Sequence, residues 1–443
     1  MITRRSVLIA TFWVTVIFGM SQVIRLGSNL ILTRLLEPEM FGLMAIAYVL
    51  LHGLVMFSDL GLWAYLVRHK DGNNSHLLNV IWSIQVLRGW GMFVVLATAV
   101  VIFVIVKDII GVQFNGVYDQ DVFPLVIIII SLTAVITGYE SMASTVYSRE
   151  LKRGKLESIE LFSQIIAVAV MLTWAYISPS IWALVAGGVT APISKVMLTY
   201  RLFPIRHQFT WDKKIVKDAF DFGKWIVLAS ILTFIAEQGD RLFFSAKISA
   251  TMLGVYSIAF MIYLAIASIA QQITFKIWFP VLSKTVNENK LLLKEMYYKV
   301  RLRQDVFIFT LAGILAASSN LLISFLYDPR YHDAGGMLQI LTIALVGQGL
   351  SMVGLETLSA LGVTRYRVKV MLARSFGTFV ALPLCYYFFG FQGALYAVAL
   401  NVFMGVPVIY WELHKNDLLC IANEFRVIPI FFLSYWATAQ FTG

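Results

Sequence analysis

Hydrophobic residues run along this chain in stretches of roughly 20 to 27 positions, separated by short polar segments and without strict apolar-polar alternation. Coiled as an α-helix, such a stretch spans the hydrocarbon of a bilayer, and only a closed helix or a closed barrel satisfies backbone groups there. The pattern places spans at Val7–Leu32, Phe41–Val67, Val80–Val106, Phe123–Val146, Ile159–Ile177 and Ile181–Phe203. After a polar interruption a second set follows at Phe222–Phe244, Met252–Trp278, Phe307–Leu326, Met337–Leu361, Val370–Phe389 and Ala394–Leu413. The expectation is an all-α integral membrane protein with about twelve transmembrane helices. Val427–Phe441 is shorter and reads as an interfacial helix or a partial thirteenth span.

This spacing divides the chain into an N-terminal six-helix lobe (1–205), a cytoplasmic amphipathic linker (206–221), a C-terminal six-helix lobe (222–415) and a tail (416–443) with a short apolar segment. The linker puts Trp211, Ile215, Ala219 and Phe220 on one side and mostly charged residues on the other, as a helix lying at a membrane surface does. Lys284–Arg303, with Leu291, Leu292, Met296, Tyr297 and Val300 among lysines, is expected to be a second interfacial helix.

The two lobes carry a weak internal repeat. Gly42–Tyr48 matches Gly254–Phe260, and Glu140 through Arg149 resembles Glu356 through Arg365 at nearly the same offset. Six-helix halves repeat in the same orientation, related by an axis along the membrane normal.

Composition agrees with lipid as the solvent: 59% of the 443 residues are hydrophobic and 14% charged, too apolar for soluble domains of this size to cover with a polar surface. With the N-terminus inside, 25 of the 35 lysines and arginines fall in cytoplasmic loops, among them Lys70 and the Arg149–Lys155 cluster, and four fall outside. The positive-inside rule therefore puts both termini in the cytoplasm. The net charge of +10 faces anionic lipid headgroups and needs no nucleic acid to explain it. Cys385 and Cys420 match no metal, redox or disulfide spacing, and the first apolar segment is too long for a cleavable signal peptide. Every loop is too short to house a catalytic domain, so the expected class is a transporter without a cofactor rather than an enzyme.

Three segments carry a family resemblance. Leu35-Leu36-Glu37-Pro38-Glu39-Met40-Phe41-Gly42 follows the first span, Phe57-Ser58-Asp59-Leu60-Gly61-Leu62 lies in the second, and Asp240-Arg241 precedes Leu253-Gly254-Val255-Tyr256-Ser257-Ile258-Ala259. In these and over nearly its whole length the chain resembles the Wzx-type oligosaccharide flippases of the MATE-like (MOP) exporter superfamily. The resemblance implies a MATE-like fold in the bacterial cytoplasmic membrane. It also implies transfer of a polyprenyl-diphosphate-linked oligosaccharide from the cytoplasmic to the outer leaflet by alternating access. Its partners would be that lipid-linked substrate, membrane lipids, and polysaccharide polymerase or assembly proteins.

A sugar-diphosphate headgroup crossing hydrocarbon requires cations and polar groups along its way. Charged residues within spans are expensive and face a bundle interior or a wet cavity. Arg25, Arg88 and Lys195 in the first lobe and Arg241 in the second are therefore the candidate substrate contacts. Three have a structural alternative: Asp59 could pair with Arg88, Glu237 at i, i+4 with Arg241, and Lys195 could snorkel to the interface, whereas Arg25 has no obvious partner in the sequence. Asp59, Glu140, Glu237, Asp240 and Glu356 are candidates for ion coupling or gating, and the spacing leaves H+, Na+ and membrane potential equally open. Trp63, Trp82, Trp90, Trp174 and Trp182 could stack on sugars, although tryptophans in spans more often mark interfacial belts. The rival readings are a MATE-type cation or drug antiporter, which an acidic cavity would favour, and a membrane-embedded polysaccharide-assembly enzyme or scaffold.

Overall fold

In hydrocarbon each backbone N–H and C=O must find its partner within the segment, so the apolar runs become long helices. A computed structural model of the protein describes residues 4–69, 72–109, 111, 116–149, 153–203, 205–363 and 365–442. Lys70 and positions 150–152 of the basic cluster lie outside the described residues. Among the described residues all regular structure is helical.

The first part of the chain forms α1 (Arg4–Leu35), α2 (Pro38–Phe57), α3 (Leu62–Arg68), α4 (Ser75–Asp108), α5 (Phe123–Gly138), α6 (Ala143–Arg149), α7 (Arg153–Ile177) and α8 (Ile181–Leu202). Then follow α9 (Lys213–Lys247), α10 (Ala250–Ile273), α11 (Phe279–Glu288), α12 (Leu293–Leu326), α13 (Asp333–Ala360), α14 (Arg365–Phe376), α15 (Leu382–Asn401), α16 (Val406–Lys415), α17 (Ile421–Phe425) and α18 (Ile428–Thr442). Nine helical segments among the described residues are long and apolar enough to cross a membrane, and the bent pair Lys213–Lys224 and Ile226–Lys247 makes up to ten. Phe123–Gly138 is a shorter apolar helix. The two last spans read from the sequence lie within one helical stretch, Arg365–Lys415, which reverses where Gly390 takes φ 64° and ψ −156°. Only glycine occupies that conformation without strain.

The chain divides into two units, Met1–Ile231 with Ser245–Thr251, and Leu232–Phe244 with Met252–Gly443. In the first unit α4 and α5 approach so closely that a Cβ on Gly89 would come within 2.6 Å of the Ala134 carbonyl oxygen. Small residues at such a crossing let backbones touch, which is how helices gain packing energy in lipid. The span expected at Phe41–Val67 is broken between α2 and α3, where the Asp59 carboxylate accepts from the Gly61 N–H at 2.9 Å and Gly61 adopts φ 61°. The span expected at Phe123–Val146 is broken between α5 and α6. Of the four apolar linker residues, Ala219 is buried and Ile215 half-buried against Leu62, Leu66, Leu77 and Ile81, whereas Trp211 and Phe220 are exposed.

In the second unit the segment expected to be a separate interfacial helix is instead divided. Lys284 ends up on α11, and Leu293 onward opens α12, with Leu293, Tyr297, Val300 and Arg301 buried in protein. Lys284, Glu288, Lys294, Glu295, Lys299 and Arg303 are exposed, and it is Arg301, buried and paired inside the unit, that makes this stretch the start of a long helix rather than a separate surface one. The tail forms α18, which packs on α12 so tightly that a Cβ on Gly313 would strike Ser434 Oγ and the Phe431 carbonyl.

Candidate functional site

Lys195, on α8, meets two carboxylates: Glu140 Oε2 at 3.4 Å and Glu160 Oε2 at 3.1 Å. Glu140 sits in the break between α5 and α6, and Glu160 comes from α7. Lys195 thus bridges carboxylates instead of snorkelling. Glu160 is not among the sequence candidates, since its apolar neighbours on α7 hide it; only its place near the end of a span hints at a role.

The break holding Glu140 is built from several elements. Gln85 of α4 places its amide nitrogen 3.0, 3.1 and 3.3 Å from the carbonyl oxygens of Thr137, Gly138 and Glu140, covering acceptors that the end of α5 leaves open. His207, in the segment before α9, accepts the Met142 backbone N–H on Nε2 at 3.0 Å and turns Nδ1 to Asn79 Oδ1 at 3.4 Å. Trp82 stacks on its ring. Burial pushes the imidazole below its ordinary range, and the neutral ring can accept on Nε2 while donating from Nδ1.

Arg88 on α4 lies 3.8 Å from Asp59, a long ion pair in which Asp59 remains 46% exposed. Arg25 on α1 is exposed and donates to the neutral amide oxygen of Gln22, one turn before it. Arg25, Arg88 and Lys195 therefore hold different partners on different helices, and among the described residues no contact joins them to one another.

In the second unit Arg241 donates to Gln238 Oε1 at 2.6 Å and its guanidinium lies 4.2 Å from the centre of the Phe260 ring. Among the described residues no ion pair joins it to Glu237, so the pairing expected from the i, i+4 spacing is not formed; Glu237 is exposed. Asp240 turns the other way, buried, and accepts from the Tyr256 hydroxyl. Glu356 on α13 lies 3.6 Å from Arg367 of α14, and its Oε2 is buried without a hydrogen-bond partner. The repeat-related Glu140 and Glu356 thus each face a cation from another helix.

One buried polar assembly was not anticipated. Arg301, Asp305 and Glu424 are buried together in the second unit, with Arg301 Nη1 2.5 Å from Glu424 and Nε 3.1 Å from Asp305. Two signals pointed to it: the i, i+4 spacing of Arg301 and Asp305, and the position of Arg301, which stands at the repeat offset from Arg88. Of the tryptophans, Trp174 and Trp182 line a groove of about 670 Å³ with Ala169, Val170, Thr173 and Ile177 at the α7–α8 hairpin, apart from the candidate ionic residues. Gln164 of α7 spans to α1, its amide donating to the Ser21 carbonyl at 3.0 Å, and so serves helix packing.

A family profile described as "Polysaccharide biosynthesis protein" matches residues 31–336. The teichuronic acid biosynthesis protein TuaB of Bacillus subtilis is 21% identical over 287 residues, 64% of this chain and 57% of that protein. The lipopolysaccharide biosynthesis protein WzxC of Escherichia coli is 22% identical over 335 residues, 73% of this chain and 65% of that protein. The chain thus spans less than two thirds of the length of either relative in these matches. Among solved structures, an inward-facing multidrug resistance MATE transporter of the MOP superfamily superposes with a TM-score of 0.65 at 13% identity, covering 89% of this chain and 94% of that one. The lipid II flippase MurJ, in an inward closed conformation, gives 0.62 at 11% identity, covering 97% and 98%. These likenesses show the fold, and they agree with the resemblance read from the sequence.

Proposed function

The chain belongs to the polysaccharide biosynthesis protein family, and from that premise we propose that it moves a polyprenyl-diphosphate-linked oligosaccharide from the cytoplasmic to the outer leaflet by alternating access. It is a multi-pass membrane protein of the bacterial cytoplasmic membrane with a MATE-like fold. We read twelve spans, with both ends of this sequence on the cytoplasmic side, and a transporter rather than an enzyme.

The observation that carries the anionic substrate is the state of the intramembrane arginines. Arg25 and Arg241 have neutral amide partners, and among the described residues neither lies within ion-pair distance of a carboxylate. A cation left without a counter-ion in a costly setting is available to a diphosphate. Arg88, held at 3.8 Å by a half-exposed Asp59, is available at the cost of a weak pair. Lys195 is already committed to Glu140 and Glu160, and we assign it and Glu140 to gating or helix positioning. Asp59, Glu237, Asp240 and Glu356 remain candidates for coupling. Outward transfer of about two negative charges gains roughly 4–5 kcal/mol per 100 mV, so membrane potential favours the forward step.

The test is lipid analysis of cells depleted of the protein. Lipid-linked oligosaccharide retained on the inner leaflet, with surface polysaccharide lost and both restored by the intact gene, is the expected result. Unchanged lipid-linked sugar with altered retention of cationic drugs would favour the antiporter, whose fold is the same.

A further inference from the structure

α12 carries Tyr297, Arg301 and Asp305 on one stripe at i, i+4 and i+8, and α17 delivers Glu424 against it from more than a hundred residues away. Arg301 and Asp305 are 1% exposed and Glu424 is 0% exposed. Glu424 Oε1 accepts from the Tyr297 hydroxyl at 3.1 Å and the Tyr298 hydroxyl at 3.0 Å, and Oε2 forms an ion pair with Arg301 Nη1 at 2.5 Å. Asp305 has no such hydroxyl donor: its Oδ2 stands 3.1 Å from Arg301 Nε as an ion pair, and among the described residues neither Oδ1 nor Oδ2 has a hydrogen-bond partner.

The other groups facing the cluster do not change its charge. Tyr297, Tyr298 and, from α16, Tyr410 contribute neutral hydroxyls, with Tyr410 taking Arg301 Nη2 at 3.1 Å. Gln304 is occupied with Trp278, Thr274 and the Ala270 carbonyl. Arg426 is exposed, its charge solvated, and reaches only the Tyr298 carbonyl at 3.4 Å. The buried inventory is therefore two carboxylates against one guanidinium. Fully ionised, it would bury one uncompensated negative charge, and a buried carboxyl escapes that state by taking up a proton.

We propose that Asp305 binds a proton in the folded protein at neutral pH, and that this proton commits Arg301 to Glu424 and so latches the Ile421–Thr442 tail onto α12. The proton resides on Oδ1, while Oδ2 keeps its 3.1 Å ion-pair contact with Arg301 Nε. Its release leaves two anions competing for one guanidinium, which weakens the hold on Glu424 and, through it, on the tail. Because the folded state holds the proton and the unlatched state gives it up, latching strengthens as pH falls and weakens as pH rises.

The experiment is infrared spectroscopy and hydrogen exchange on the full-length protein in lipid nanodiscs. The wild type is expected to show a protonated-carboxyl stretching band at neutral pH that is diminished in Asp305→Asn. Protection of 421–442 in the wild type, corrected for intrinsic exchange, is expected to fall by up to about tenfold per pH unit above the titration, whereas Asp305→Asn holds it constant. Glu424→Gln is expected to lower protection at every pH. Tail protection independent of pH in the wild type, a measurement that needs no variant, overturns the proposal. So does an unchanged carboxyl band in Asp305→Asn, or protection that follows sodium concentration instead of pH.

Discussion

Lys195 on α8 stands 3.4 Å from Glu140, the residue at the break between α5 and α6. Its second partner, Glu160, is 63% exposed and can be solvated when released, but Glu140 is only 18% exposed. Removing the lysine therefore leaves Glu140 as the costly survivor. Lys195→Ala is expected to destabilise the protein by about 1–3 kcal/mol, below the 3–5 kcal/mol of a fully buried pair because the lysine itself is 31% exposed. Glu140→Gln should cost less, since Lys195 keeps Glu160. Thermal unfolding of the two single variants and the double variant checks this: a coupling energy near zero would mean that the pair contributes nothing.

Arg25 supplies a sharper test of substrate binding, because it is exposed and, among the described residues, its guanidinium pairs with a neutral amide and no carboxylate. Surface substitutions of that kind shift stability by within about 0.5 kcal/mol. A charge-assisted hydrogen bond to a phosphate contributes about 1.5–3 kcal/mol, so Arg25→Ala should reduce transport roughly ten- to hundredfold while expression and thermal stability stay near wild type. Arg25→Lys should fall between. Full complementation of a deletion strain by Arg25→Ala would remove this residue from the phosphate path.

Hydropathy reports which residues face lipid, and for that reason the apolar runs from Val7 to Leu413 all lie on helices. It is blind to breaks inside an apolar run. Asp59-Leu60-Gly61 and Tyr139-Glu140-Ser141 interrupt their helices, yet each carries only a few polar residues that also suit a continuous span. It also reads a buried polar stripe as a separate interfacial helix: α12 begins at Leu293 rather than near Phe307, because Arg301 is paired with Glu424 from the tail and with Asp305 on its own helix instead of facing water. The candidate cations were legible as charges in spans, but their partners were legible only where they lay nearby. Arg88 and Asp59 pair as the sequence allowed, whereas Arg241 leaves Glu237 for Gln238 and the Phe260 face, a choice set by side-chain packing.

The seating of α18 on α12 depends on the missing side chain at Gly313. A Cβ there would lie 2.0 Å from Ser434 Oγ and 2.5 Å from the Phe431 carbonyl, and the second of these is backbone that cannot rotate away. Gly313→Val is therefore expected to push the tail helix off and cost about 1–3 kcal/mol or more, the range for overpacked sites. Ser434→Gly combined with Gly313→Ala should recover only part of the loss, because the carbonyl clash remains. Hydrogen exchange of 428–442 is the readout; unaltered protection in Gly313→Val would show that the two helices do not pack as described.

His207 gives the first unit a pH dependence whose sign follows from its surroundings. The Met142 N–H points at Nε2, so protonating that nitrogen sets two donors against each other in a half-buried site. Burial holds the imidazole below its ordinary value of 6.5, so the stabilising contribution is fully present above that value. It is lost as pH falls through 6.5 toward the lower value in the folded state, where the unfolded chain binds the extra proton first. Asp212, which accepts from His76 and the Lys214 and Ile215 N–H groups, is also held below its ordinary range, and its contribution is lost only below 3.8. The two windows do not overlap. Between about pH 7.5 and 5.5, which brackets the ordinary imidazole value, the 205–212 segment should lose exchange protection in the wild type. His207→Gln, whose amide does not titrate, should lose that pH response. A segment equally protected at both ends of this range in the wild type would mean that His207 is already free to charge, and that the Met142 contact does not hold the break beside Glu140.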